Sequence, residues 1–107
     1  MLSPLGNSVD ETWHGMIEGR SGVDRITRFD PTDYPATIAG EIKGFDIREY
    51  VDRREARKMD PFSHYAVAGS IQAMKDAGLS DSGFDPERTG VVLGVGIGGF
   101  ETLENSY

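Results

Sequence analysis

The order of predicted elements, helix, strand, helix, strand, helix, places this 107-residue chain in the layered α/β class. Two observations carry that prediction. Residues 60 to 78 pair a complete set of helix start and stop signals, and "TGVVLGVG" (89–96) is an apolar run closed by glycines, the pattern of a strand covered on both faces.

Ser8 followed by Glu11 forms a capping box, and Val9, Trp13, Met16 and Ile17 share one helical face, so "NSVDETWHGMIEG" reads as the first helix, stopped at Gly19. "RSGVDRITRFDPTDYP" carries turn residues and two prolines and reads as a surface loop. "ATIAGEI" alternates weakly and predicts a short strand. Between Phe45 and Met59 charges dominate, and Phe45, Ile47, Tyr50 and Val51 come early, which predicts one or two short surface helices. Asp60 suits an N-cap and Pro61 a first helical position, so "FSHYAVAGSIQAMKDA" runs as a helix to Gly78. Its small residues Ala66, Gly69, Ser70, Ala73 and Ala77 recur at spacings of three and four, which predicts a buried face for close backbone approach. "LSDSGFDPER" is a polar connection, and "FETLENSY" opens one more helix.

Composition narrows the function classes. A chain of this length forms one domain at most, and 37% hydrophobic with 27% charged residues is ordinary for a soluble globular protein. No apolar run reaches the roughly 18 residues of a membrane span, and no leader pattern opens the chain, so a cytoplasmic location is expected. The absence of cysteine excludes disulfides, thiolate metal sites and a cysteine nucleophile within these residues. A formal net charge of -7 argues against general nucleic-acid binding, which needs a broad basic face.

Two motifs stand out. Gly94, Gly96 and Gly99 satisfy G-x-G-x-x-G after a predicted strand and before a predicted helix, the setting of a dinucleotide fingerprint. That fingerprint also wants an acidic residue about 20 positions on, beyond Tyr107; the competing reading is glycines that let the backbone bend or pack closely. "RREARKMD" (53–60) is the second. If residues 52 to 59 are helical, Arg54, Arg57 and Lys58 share one face, because successive residues step ~100° around the axis. Residues 52 to 60 hold four bases against three acids, a local sum of +1, so a solvated helix competes with a cationic ridge for an acidic partner. His14 and His64 have no acid or nucleophile at a recognisable spacing and read as structural.

Taken together, "MLSPLGNSVDETWHGMIEGRSGVDRI", "FDPTDYPATIAGEIKGFD", "RREARKMDPFSHYAVAGSIQAMKDAGL" and "RTGVVLGVGIGG" resemble the amino-terminal part of the β-ketoacyl-[acyl-carrier-protein] synthases, most like the type II condensing enzymes. The resemblance runs along essentially the whole chain and displaces the nucleotide reading of the glycines. It implies a partial thiolase-like fold, part of the N-terminal half of a five-layered α/β/α/β/α homodimeric enzyme. It also implies a partial domain over 1–107, truncated at both ends and lacking the first core strand: a fragment, or a reading frame opened at an internal methionine. The implied reaction is fatty acid chain elongation, in which a cysteine accepts an acyl group from acyl carrier protein and two histidines assist decarboxylation of the malonyl thioester. By resemblance, Arg54, Arg57 and Lys58 contact the acidic carrier protein and Ile97 lines the acyl-chain pocket. No catalytic residue, cofactor or metal ligand carries over, so these residues alone are expected to be inactive. The alternatives are a non-catalytic module that binds an acidic protein and, ranked below it, a nucleotide-binding half-domain that uses the Gly94, Gly96 and Gly99 turn.

Overall fold

The structure, a computed structural model, describes residues 1–79 and 83–106; part of the polar connection and Tyr107 lie outside the described residues. Two compact units divide the chain at Phe45 and Asp46.

The first unit holds helix α1 (Val9–Ile17) and an antiparallel strand pair, β1 (Val23–Arg25) and β2 (Ile38–Gly40). Ser8 caps α1 by accepting from the Glu11 amide at 3.1 Å, as the capping box predicts. Its reciprocal half is displaced by one residue: the Glu11 carboxylate accepts from the Asn7 amide at 2.7 Å. At the other end Gly19 (φ +68°) turns left-handed, and the Arg20 amide bonds the Gly15 carbonyl at 2.9 Å, closing the helix in a Schellman motif. The side of α1 that is covered is polar and small. Thr12 is 4% exposed; its hydroxyl donates to the Ser8 carbonyl and accepts from Ser3 Oγ at 2.8 Å. Val9, Trp13, Met16 and Ile17, the predicted apolar face, are exposed.

The strand pair aligns Val23 with Gly40 and Arg25 with Ile38. β2 falls inside the predicted strand. β1 falls inside the segment read as loop, because three exposed residues are too few to show alternation. Glu41 braces the chain after β1: its carboxylate accepts from the Thr27 amide, the Thr27 hydroxyl and the Arg28 amide.

The second unit opens with a 3₁₀ turn (Ile47–Glu49), then α2 (Arg53–Ala56), α3 (Pro61–Asp76) and α4 (Phe100–Asn105). Asp46 caps the turn through the Arg48 amide and grips the Arg48 guanidinium at 2.5–2.9 Å. That grip holds the Asp46 carboxyl down at about 2. Asp52 caps α2 by accepting from the Arg54 and Glu55 amides. α3 begins at Pro61 and closes at Gly78 with the same Schellman bonds as α1, matching the predicted start and stop.

Burial on α3 is narrower than its small residues predict. Ala68 is fully buried, whereas Ala73 and Ala77 are exposed and a side chain on Gly69 would meet open space. The predicted strand over 89–96 is also corrected: these residues join no ladder, and Val92 is 96% exposed. An apolar run becomes a strand only when a neighbour accepts its backbone hydrogen bonds, and none does so among the described residues. α4 matches the predicted last helix.

Candidate functional site

The basic cluster occupies a single turn of helix rather than the full span 52–59. Beyond Ala56 the turn continues in looser form: the Arg57 amide bonds the Arg53 carbonyl at 3.3 Å and the Lys58 amide the Glu55 carbonyl at 3.0 Å. Ala56, 8% exposed, is the buried side of this turn, while Arg53, Arg54, Arg57 and Lys58 are exposed. Lys58 Nζ pairs with Glu55 Oε1 at 2.6 Å. Among the described residues no ion pair engages Arg53, Arg54 or Arg57. Arg54, Arg57 and Lys58 thus lie on one exposed turn, where Lys58 pairs with Glu55 and the two arginines have no ion pair among the described residues.

His64, one turn into α3, supports this surface from behind. Its Nε2 donates to the Ala56 carbonyl at 2.8 Å, which requires the Nε2–H tautomer and ties α3 to the end of α2. Gln72 adds a second tie through Nε2 to the Tyr50 hydroxyl at 2.8 Å. His14 bonds the Asp10 carbonyl one turn back in its own helix. Each histidine thus makes a hydrogen bond to a backbone carbonyl.

Gly98 and Gly99 are sites of close approach. A Cβ on Gly98 would lie 2.9 Å from the Phe62 ring, and one on Gly99 (φ +68°) 2.7 Å from Asp60 Oδ2. A carboxylate thus occupies the place beside Gly99, where its charge disfavours a phosphate. Gly94 and Gly96 face open space. Ile97, the residue before this packed pair, is 83% exposed.

Asp60 was legible from the sequence only as a cap. Its backbone is at the N-cap of α3, yet its side chain makes no capping bond and instead accepts from Thr102 Oγ1 at 2.5 Å. No local signal marks that contact. Among the described residues, no group of three or more histidines and acids is placed to hold a metal ion, and no helix is long and apolar enough to cross a membrane.

Comparison with known proteins agrees with the resemblance. The family model for the β-ketoacyl synthase N-terminal domain matches residues 1–107. The chain is 43% identical over 107 residues to a 3-oxoacyl-[acyl-carrier-protein] synthase 2 of Vibrio cholerae, covering all of this chain and 26% of that protein. Against the synthase of the same name from Staphylococcus aureus strain N315, identity is 46% over 106 residues, 99% of this chain and 26% of the relative. A Synechocystis relative, again of that name, is 43% identical over 104 residues, 97% of this chain and 25% of its own. The chain spans about a quarter of the length of these curated relatives. With the family match extending from Met1 to Tyr107, the chain belongs to the β-ketoacyl synthases and lies in their N-terminal domain.

Proposed function

We propose that these residues are the part of a 3-oxoacyl-[acyl-carrier-protein] synthase that receives the carrier protein and helps seat its acyl chain. The whole-chain family match carries the reading. In the full-length enzyme a cysteine thiolate takes the acyl group from its carrier thioester; the malonyl thioester then loses CO₂, and the resulting carbanion attacks the acyl-enzyme carbonyl, releasing the thiolate. The chain has no cysteine, so it supplies none of the nucleophilic step, and assayed alone it should not elongate a malonyl thioester. Its parts are the exposed basic turn of Arg54, Arg57 and Lys58, which docks the acidic acyl carrier protein, and Ile97, which lines the acyl pocket. The full-length enzyme is read as a homodimer with the five-layered thiolase-like architecture. In that architecture the exposed face of α1 and the apolar run 89–96 have other layers to cover them.

Electrostatic docking is tested by reversing charge in the full-length synthase. Each exposed pair is worth about 0.2–1 kcal/mol, so Arg54→Glu with Arg57→Glu should raise the KM for acyl carrier protein about two- to thirtyfold. The effect should shrink as salt rises, with kcat retained. Lys58→Glu alone should do less, because Lys58 already faces Glu55. An unchanged KM at low salt would remove the docking role. In the same enzyme Ile97→Phe should penalise long acyl chains over short ones.

A further inference from the structure

We propose that Asp60 is a positioning residue that sets the place of the Ile97 turn, and through it the enzyme's discrimination between acyl chain lengths; the inference rests on the reading of Ile97 as a pocket residue. Aspartate at an N-cap normally accepts from the first turn of its own helix. Asp60 does not. Its carboxylate reaches across to α4 instead: Oδ1 accepts from the Thr102 hydroxyl at 2.5 Å, and Oδ2 lies so near Gly99 that a Cβ there would come within 2.7 Å of it. Two residues further along α3, the Phe62 ring lies so close to Gly98 that a Cβ there would come within 2.9 Å of it. Gly98 and Gly99 are thereby held on the first turn of α3, and Ile97, directly attached to them, inherits that placement.

The same first turn of α3 carries His64, whose amide bonds the Asp60 carbonyl at 3.2 Å and whose ring holds the end of the basic turn. One turn of helix therefore fixes two surfaces with separate ties: His64 for the docking turn, Asp60 for the pocket turn. Loss of the Asp60 tie should alter how acyl chains are accommodated without altering how the carrier is met.

The test uses the full-length synthase that carries this segment, with acyl carrier protein loaded with hexanoyl or tetradecanoyl groups. Asp60→Ala and Thr102→Val should each shift the ratio of kcat/KM for the long over the short substrate by roughly fivefold, the worth of one hydrogen bond, with the KM for carrier protein unmoved. Thr102→Ser, which keeps the hydroxyl, should restore the parent ratio, and the double variant should match either single one because both break the same tie. Thr102 is exposed, so its variants carry the test if Asp60→Ala fails to fold. An equal loss on both substrates, or additive effects in the double variant, would overturn the proposal. Ile97→Phe in the same assay separates the two levels of argument. If it leaves the ratio unchanged, the pocket reading fails; if it shifts the ratio and the Asp60 and Thr102 variants do not, only the positioning role fails.

Discussion

Replacing His64 with phenylalanine keeps a ring of similar size and removes one donor, the Nε2–H that reaches the Ala56 carbonyl at 2.8 Å. The carbonyl is not left wholly unpaired, because it also accepts from the Met59 amide at 3.3 Å. The cost is therefore close to the net value of a single hydrogen bond, about 1 kcal/mol, rather than the larger penalty of an orphaned buried acceptor. That cost falls on one turn of helix, which has little else to hold it: a four-residue helix is far below the length that is stable by itself. Local opening should therefore rise about fivefold. Hydrogen exchange of the full-length synthase, followed by mass spectrometry, reads this directly as a loss of protection in the peptide covering residues 53–59. The distal turns of α3, beyond Gln72, should keep their protection. On the proposed docking role of this turn, the KM for acyl carrier protein should rise with it, since a fraying turn no longer presents Arg54 and Arg57 together. Unchanged exchange over 53–59 in a folded His64→Phe enzyme would refute the claim that this bond holds the basic turn.

Two further predictions concern the same unit. The Asp46 carboxyl is held at about 2 by the Arg48 guanidinium, below its ordinary 3.8. A depressed carboxylate stabilises the fold above the unfolded value, and that contribution fades as pH falls from about 3.8 to about 2. Carboxyl carbon shifts in a pH titration should give this low midpoint and return it toward 3.8 in Arg48→Met; a midpoint unmoved by that change would disprove the pairing. Gly98→Ala places a methyl group 2.9 Å from the Phe62 ring, an overpacking that costs about 1–3 kcal/mol and should lower the urea midpoint. Combining it with Phe62→Leu should recover part of the loss, and strict additivity of the two would show that the contact is absent.

What could be read from the sequence and what could not divides by the distance between partners. The cap at Ser8 and the closures at Gly19 and Gly78 place donor and acceptor within a few residues of each other, so spacing alone reveals them. The Lys58–Glu55 pair lies at i,i+3, and the same rule that gathers Arg54, Arg57 and Lys58 on one face also brings Glu55 within reach of the lysine. Applying it narrows the ridge to the two arginines. Apolar stripes are less informative. The faces of α1 and of 89–96 state that something covers them, but periodicity does not say what, and no cover is present among the described residues.

Asp60 fails in the opposite way. Everything local about it, the extended backbone, the proline that follows and the helix after that, satisfies the signature of a capping residue, and that signature hides its actual partner. Thr102 lies 42 residues away, and neither a hydroxyl nor a glycine at that range leaves any periodic trace. The informative observation is a local rule satisfied by the backbone and declined by the side chain. A long-range tie of this kind is found by asking of each cap whether its carboxylate is spent where the helix would use it, and at Asp60 it is spent on Thr102 of α4, the helix that follows Ile97 and the two glycines.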